Sequence, residues 1–306
     1  MRLRRGPPPS PKDEPRVIAS LAPAKVNLYL HVAPVQPDGY HPLASLMVFA
    51  DIGDEVRAAP ADELSLTIEG PFGAGLSAGE DNLVLRAARA LLEAAGSRQG
   101  ARIVLDKRLP IAAGVGGGSS DAGAALRLLR ALLALDIDDA ALQAVAERLG
   151  ADGAACLWAR AVTAEGRGEI LSPPPGLPPL PAVLINPGVP SPTGPVYRAY
   201  DDMGGLGDCV RPVEPILTDV RATAQWIAGL RNDLEAPAVK LEPRIGRALD
   251  VVGLQPEALF TRMSGSGATC FSLCASDADA RALAERLTRL HPEWWVRACR
   301  LGDAPV

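Results

Sequence analysis

The chain has 306 residues, of which 48% are apolar and only 4% aromatic, and its formal net charge is −5. This length suffices for about two domains with a sizeable core built mostly from Ala, Leu and Val. The acidic balance argues against a nucleic-acid partner, since nucleic-acid-binding proteins are usually basic. With only three histidines, no metal site is predicted, and no window reaches the roughly 18 apolar residues of a membrane span.

The five cysteines are scattered and show no C-x-x-C spacing, which disfavours a disulfide framework. Free thiols in a reducing compartment are the expectation. Residues 1–15 are basic and proline-rich and lack the apolar region of a signal peptide. We therefore expect a cytoplasmic protein with a disordered tail over 1–15.

An N-terminal domain is predicted over residues 16–172. Strands are expected at 17–21, 25–32, 45–52, 55–59, 63–69 and 101–107, the fifth because apolar residues alternate with polar ones. A helix is expected to begin at Asp81-Asn82 and to end at Ala95, before Gly96. Apolar residues at helical spacing predict two more helices, at 121–135 and 138–149.

A proline cluster at 172–181 cannot form a regular element, because proline lacks an N–H and fixes φ. It predicts the boundary of a second domain over 173–306. Beyond it we expect helices at 218–230, 236–252 and 277–290, and strands at 182–186, on both sides of a loop within 258–273, and at 294–300. The mixture of elements predicts an α+β protein with helices layered on sheet.

The segment from Leu109 to Asp121 holds four glycines and two serines between an apolar strand and a helical stretch. Glycine permits positive φ and close backbone approach, consecutive N–H groups can form an anion-binding concavity, and a helix N-terminus adds partial positive charge. A flexible linker is the alternative, but the position between a strand and a helix disfavours it. The segment matches neither G-x-x-x-x-G-K-[ST] nor G-x-G-x-x-G, so it predicts a phosphate loop of another type.

Four further motifs each allow two interpretations. Lys25, at the start of an apolar strand, is either a surface lysine or a buried one with a carboxylate partner. Asp152, in a turn of small residues, is either structural or a base kept ionised by a nearby cation. The Gly/Ser turn at 263–269 is a hairpin loop or a second phosphate contact. The turn 38–41 is either a surface β-turn or a binding site for a flat ring, which would stack on Tyr40 and form hydrogen bonds with His41.

Taken in order, Pro23-Ala-Lys-Val-Asn-Leu, Gly-Val-Gly-Gly-Gly-Ser-Ser-Asp and Ser-Gly-Ser-Gly-Ala-Thr resemble the three motifs of the GHMP small-molecule kinases. Asp-Gly-Tyr-His-Pro-Leu, Asp-Lys-Arg-Leu-Pro and Leu-Gly-Ala-Asp resemble the members whose substrate is a methylerythritol carrying cytidine diphosphate. The resemblance covers about 18–301. It implies an N-terminal domain of the ribosomal protein S5 domain 2 type, a ferredoxin-like C-terminal domain and an active site between them.

The resemblance also implies a reaction and its residues. ATP, with Mg²⁺ sharing the charge of its phosphates, would phosphorylate the 2-hydroxyl of the methylerythritol for non-mevalonate isoprenoid synthesis. Asp152 would be the base and Lys25 its ion-pair partner. The nucleotide would contact Asn82, Leu83 and Lys107 near the adenine, and Pro110, Gly114, Gly116, Gly117, Gly118, Ser119 and Ser120 at the phosphates. The substrate would contact Asn27, Tyr40, His41, Tyr197, Ser264, Gly265, Ser266 and Gly267.

Two alternatives remain open at this point. Another GHMP kinase could act on homoserine, mevalonate or a sugar, although the Tyr40-His41 pair suits a nucleobase. A non-catalytic ATP sensor of the same fold is the other, although the presence of both Lys25 and Asp152 speaks against it. The chain departs from the family pattern at Ala154, where a proline is typical, so the turn behind Asp152 is expected to differ from that of the family.

Overall fold

The structure is a computed structural model that describes residues 16–174, 176–205 and 207–306. The predicted tail over 1–15 and one residue of the proline cluster, Pro175, lie outside the described residues. None of the helices in the described residues has the length and hydropathy of a membrane-spanning segment.

The described strands form one mixed sheet. They are β1 Ile18–Val32, β2 Leu43–Ala61, β3 Ser65–Glu69, β4 Gly100–Asp106, β5 Val162–Gly166, β6 Ile170–Ser172, β7 Leu180–Asn186, β8 Ala258–Met263, β9 Cys270–Cys274 and β10 Trp295–Gly302. β2 is its hub, pairing antiparallel with β1, β4, β5 and β10, and the only parallel pair among the described strands is β3 with β4. β10 belongs to the second predicted domain and pairs with β7 of that domain as well as with β2 of the first, so strands of both predicted domains join at β10. The predicted boundary falls between β6 and β7 and stays a prediction.

Several helices begin at the polar caps that the sequence indicated. The Asn82 side chain accepts a hydrogen bond from the N–H of Val84 at 2.9 Å, and Asp138 accepts one from Ala141 at 2.8 Å. The helix predicted at 277–290 is confirmed. The helices are α1 Leu83–Ala94, α2 Gly117–Leu132, α3 Asp139–Glu147, α4 Gly153–Trp158, α5 Thr193–Asp202, α6 Val220–Ala228, α7 Glu235–Leu241, α8 Pro243–Gly253 and α9 Asp277–Leu290.

Some predicted boundaries were wrong. β1 and β2 are each continuous where pairs of short strands were expected, and β1 passes its proline with a register shift between Pro23 and Lys25. The helix expected at 236–252 is two helices, because Pro243 starts a new one. α2 begins at Gly117 rather than at Asp121. The sequence reading missed α4, α5, β5 and β6.

The core beneath α2 explains how the glycine-rich segment is held. Every residue of α2 from Ser120 to Leu126 is buried, and small residues such as Ala124 and Ala125 belong to the core formed with the sheet and the neighbouring helices. A Cβ on Gly123 would lie 2.6 Å from the carbonyl oxygen of Cys156 in α4. Small side chains therefore let α4 pack directly on α2, which sets the position of both helix starts.

Candidate active site

Most of the predicted site residues line one cavity of about 960 Å³. The three that do not are Ser120 and Ser264, which are fully buried, and Gly267. The structure therefore brings together motifs from both predicted domains. The predicted residues along the cavity are Lys25, Asn27, Tyr40, His41, Asn82, Leu83, Lys107, Pro110, Gly114, Gly116, Gly117, Gly118, Ser119, Asp152, Tyr197, Gly265 and Ser266.

At Gly114, the glycine loop (residues 109–121) has a backbone that only glycine accommodates. Gly114 has φ +72°, and a Cβ there would lie 2.5 Å from the carbonyl oxygen of Ser264. The loop is tied on both sides, because the N–H of Lys25 donates to Val115 O at 2.9 Å and that of Thr269 donates to Ala113 O at 3.0 Å. It is therefore fixed between β1 and the 264–269 turn.

The N-terminus of α2 faces the cavity with its first N–H groups. Its N-cap, Gly116, has φ +62° and offers no side-chain cap. Gly117, Gly118 and Ser119 form the first turn and line the cavity. The first turn of a helix has no intrahelical acceptors for its N–H groups and carries partial positive charge, so this end of the cavity suits phosphate oxygens.

Lys25 and Asp152 form an ion pair at the cavity wall, with 3.1 Å between Nζ and Oδ2. Lys25 is 5% exposed, and its ammonium also donates to Asn27 Oδ1 at 2.8 Å. Asn27 in turn donates to Ser45 Oγ at 2.7 Å. The Asp152 side chain is 30% exposed, so the pair combines a fixed cation with a carboxylate that a substrate can reach.

Asp152 occupies the N-cap position of α4, where its own carbonyl accepts from Cys156 N at 2.9 Å. The following residue must be glycine, because a Cβ on Gly153 would lie 2.0 Å from Ala146 O. Ala154, which stands where the resemblance implies a proline, is in the first turn of α4. Proline suits that turn but is not required for it, and α4 forms here without it.

Two neighbours of Asp152 are kept neutral. Burial, with the charge of Asp152 second, raises the pKa of Cys156 to about 12. The same two causes raise the pKa of Tyr197 to about 12. Neither side chain therefore adds negative charge beside the carboxylate near neutral pH.

Lys107 does not project as a free cation toward the cavity. Its ammonium lies between Asp54 Oδ2, at 2.5 Å, and Asp121 Oδ2, at 2.7 Å, and all three residues are buried. Although burial lowers the pKa of Lys107, the two carboxylates raise it more. Burial raises the pKa of Asp121 to about 8 against the attraction of the ammonium. This charged cluster lies directly below Gly117, whose Cβ would be 3.0 Å from Lys107 Nζ.

Asp54 also shapes the approach to the loop, and the sequence reading missed it. Its Oδ1 accepts the N–H groups of Arg108 at 2.5 Å and Leu109 at 2.7 Å. A single aspartate inside a strand-rich stretch offers no pattern that would reveal this role. Asn82 is engaged as the cap of α1 and also donates to Ser77 O at 2.8 Å, whereas Leu83 contacts the loop beside Gly118.

The far end of the cavity is aromatic. Tyr40 is 56% exposed, and the Arg167 guanidinium lies 4.1 Å from the centre of its ring. The ring centres of His41 and Tyr197 are 4.8 Å apart. His41 Nε2 lies 2.8 Å from Asp201 Oδ1. The sequence reading missed Arg167 and Asp201, since nothing local ties either to residues 38–41.

The 264–267 turn closes the cavity between its two ends. Ser264 Oγ accepts the N–H of Asn27 at 3.1 Å and donates to Gly114 O at 3.1 Å. The Ser266 hydroxyl lies 3.0 Å from that of Thr193, and Gly267 has φ +82°. Ser264 and Gly267 therefore support the turn from behind, and Gly265 and Ser266 present it to the cavity.

Comparison with known proteins identifies the family to which this architecture belongs. A family model described as the GHMP kinases N terminal domain matches residues 82–160, and one described as GHMP kinases C terminal matches 216–293. A protein of Caulobacter vibrioides strain NA1000 / CB15N, named 4-diphosphocytidyl-2-C-methyl-D-erythritol kinase, is 58% identical over 93% of this chain and 99% of its own. The chain belongs to the GHMP kinase family.

Further relatives and solved structures are similar to this GHMP kinase over most of its length. A Hyphomonas neptunium protein with the same name is 50% identical over 94% of the chain and 98% of its own length. A crystal structure of 4-(cytidine 5′-diphospho)-2C-methyl-D-erythritol kinase superposes with TM-score 0.73, at 39% identity over 93% of this chain and 99% of that one. Homoserine kinase from Cytophaga hutchinsonii, with TM-score 0.66 and 22% identity over 99% of this chain and 98% of that one, shares the fold.

These matches confirm the predicted family, its two-domain α+β architecture and a small-molecule kinase activity. ATP as the phosphate donor follows from the family. The roles predicted for individual residues of this GHMP kinase rest on the geometry above and stay predictions.

Proposed function

We propose that this GHMP kinase transfers the γ-phosphate of ATP to the 2-hydroxyl of 4-(cytidine 5′-diphospho)-2-C-methyl-D-erythritol, a step of non-mevalonate isoprenoid synthesis. The names and high identities of its relatives support this substrate. The observation that carries the proposal is the Lys25–Asp152 pair at 3.1 Å, in the same cavity as the glycine loop.

The nucleotide phosphates would bind at the N-terminus of α2 and along the glycine loop. Phosphoryl transfer depends mainly on in-line positioning and on stabilising the charge of the transferred group. The N–H groups of Gly117 to Ser119 supply fixed dipoles for this purpose. Mg²⁺ enters as part of the nucleotide substrate and shares the charge of its phosphates.

Asp152 would accept or orient the proton of the 2-hydroxyl as this oxygen attacks the γ-phosphorus. Lys25 would hold the carboxylate in place and stabilise negative charge on the attacking oxygen. Asn27 fixes the ammonium from its other side. The substrate hydroxyl is then the only reacting group that has to be brought into position, because Asp152 and Lys25 are already held in place by the protein.

The aromatic end would bind the nucleobase. Tyr40 and Tyr197 offer ring faces for stacking, and His41 offers one ring nitrogen for a hydrogen bond. The distance from this end to the α2 terminus is spanned by one cavity, so the diphosphate-linked polyol would run from the base toward Asp152. We place the reaction in the cytoplasm, because all five cysteines are free thiols.

The direct test is an ATP-consumption assay on a panel of acceptors: the cytidyl diphosphate substrate, its uridyl analogue, homoserine and mevalonate. We expect turnover with the cytidyl compound and little with homoserine or mevalonate. Rapid turnover of homoserine or mevalonate, with none of the cytidyl compound, would overturn the proposal.

The role of Asp152 is tested by Asp152→Asn, which keeps the shape of the side chain and removes its basicity. We expect kcat to fall by about 10²- to 10⁴-fold, the usual range for loss of a general base, with KM for both substrates changed by less than about threefold. Asp136→Asn is the matched control, since Asp136 is exposed and outside the cavity. Near-normal turnover of the Asp152 variant would remove this residue from the role of base.

A further inference from the structure

Helix α5 contributes an acidic side chain to the aromatic end of the cavity. Tyr197 and Asp201 are four residues apart, so they lie on the same face of the helix, and both line the cavity. The face meets His41, whose ring centre is 4.8 Å from that of Tyr197 and 5.8 Å from that of Tyr200. The contact joins residues 160 positions apart, so it is a built feature of the tertiary fold.

The bond between His41 and Asp201 has a defined direction. An ionised carboxylate only accepts hydrogen bonds, so Nε2 of His41, 2.8 Å from Asp201 Oδ1, must carry the hydrogen. In a neutral imidazole the other nitrogen, Nδ1, then keeps its lone pair and is an acceptor. A carboxylate on one ring nitrogen thus sets the hydrogen-bonding character of the other, as it does for histidines that bind metals.

Nothing else in the described part of the chain competes for these groups. Among the described residues, the Asp201 carboxylate has no hydrogen-bond partner besides His41, and no group bonds Nδ1 of His41. The His41 side chain is 8% exposed and that of Asp201 37%. The histidine is therefore held at the cavity wall with one nitrogen committed to Asp201 and one available to a ligand.

We infer that Asp201 is a specificity-determining residue, which acts through His41 to select a base bearing an exocyclic amine over one bearing a carbonyl at the same position. Cytosine presents an amino group at C4, a donor that matches the lone pair of Nδ1. Uracil presents a carbonyl oxygen there, an acceptor that would face another acceptor. The inference rests on the proposed function, because it assumes that the base of the substrate lies against His41.

The test compares kcat/KM for the cytidyl substrate and its uridyl analogue in the wild type and in Asp201→Asn. An asparagine amide can present either its oxygen or its NH₂ group to Nε2, so the variant releases both tautomers of His41. We expect the wild type to favour the cytidyl substrate by about 10²-fold or more, since a buried polar group left unpaired is strongly disfavoured. The variant should lower that ratio by about tenfold or more.

Asp202→Asn is the matched control. It makes the same change at the next residue of α5, at an exposed position outside the cavity, and should leave the ratio at its wild-type value. An unchanged ratio in Asp201→Asn, in an enzyme that turns over the cytidyl substrate, would overturn the inference and spare the proposed function. Failure of the wild type to use the cytidyl substrate would instead overturn the proposed function.

The tautomer can be measured without any substrate. The chain has three histidines, so ¹⁵N-edited NMR of the imidazoles is tractable, and His41→Gln assigns the relevant signals. We expect His41 to be protonated on Nε2 alone in the wild type and in Asp202→Asn, and to become a mixture in Asp201→Asn. A proton on Nδ1 in the neutral wild-type ring would contradict the inference even if the two substrates were discriminated.

Discussion

Gly116→Ala tests whether the glycine loop controls the catalytic lysine. Gly116 has φ +62°, and a Cβ there would lie 3.2 Å from both Cβ and Cε of Lys25. Gly96 provides a matched control, because its φ is +60° and nothing lies within 4 Å of its Cβ position. Both alanine variants carry the same left-handed backbone strain, about 1–2 kcal/mol, but only one crowds the active site.

The crowding must be relieved by the lysine side chain. Its backbone N–H is bonded to Val115 O, and its ammonium holds Asp152 at 3.1 Å and Asn27 at 2.8 Å. A displacement of a few tenths of an ångström at Cε therefore reaches the groups that face the substrate. Since misplacement by about 1 Å can cost 10²-fold in rate, a displacement of a few tenths of that distance should lower kcat of Gly116→Ala by about 3- to 10-fold.

The assays are urea denaturation for stability and ATP consumption for kcat, each on Gly116→Ala, Gly96→Ala and the wild type. Both variants should lose about 1–2 kcal/mol in the free energy of unfolding, while Gly96→Ala keeps wild-type kcat. Equal kcat in the two variants would refute the reasoning, because it would show that close contact between residue 116 and Lys25 does not govern the reaction.

Two further predictions concern the supports of the site. Burial raises the pKa of Asp121 from 3.8 to about 8, so between these pH values the folded state keeps a proton that the unfolded state releases. This protonation stabilises the folded state fully below pH 3.8, and its contribution is lost by about pH 8. The free energy of unfolding of Asp121→Asn, measured by urea titration, should therefore rise relative to that of the wild type between pH 5 and pH 8. The same pH dependence in both proteins would contradict this. Gly153→Ala should lose about 1–3 kcal/mol, the usual cost of overpacking, and much of its kcat, because its Cβ would meet Ala146 O at 2.0 Å. Gly150→Ala, with nothing within 4 Å of its Cβ position, should match the wild type, and equal behaviour of these two glycine variants would argue against a fixed Asp152 turn.

Local sequence patterns were sufficient where the cause of structure is local. The caps Asn82 and Asp138 and the helix at 277–290 follow from polar start signals and apolar periodicity. The first turn of α2 did not, because Gly117 and Gly118 have low intrinsic helix propensity. Tertiary packing imposes the helix there, with Leu83 against Gly118 and the lysine cluster below Gly117.

The candidate site divides in the same way. Motif resemblance selected Lys25 and Asp152, and the structure brings the two side chains to 3.1 Å. Lys107 was expected near the adenine, which stays a prediction; it lines the cavity, and the pairing of its ammonium with Asp54 and Asp121 was not foreseen from the sequence. The contact between His41 and Asp201 had no sequence signal, since long-range pairs of polar residues leave no periodic trace in a single chain.

The interlocking of the glycine loop with the 264–269 turn has a consequence for how the enzyme meets its nucleotide. The bonds from Lys25 to Val115, from Thr269 to Ala113 and from Ser264 to Gly114 are made within the protein itself. The conformational entropy of ordering the glycine loop is therefore lost during folding and not again each time ATP binds. ATP should therefore bind to a glycine loop that is already ordered. Cutting the chain between the two predicted domains should disorder the loop, even if each half keeps its own strands.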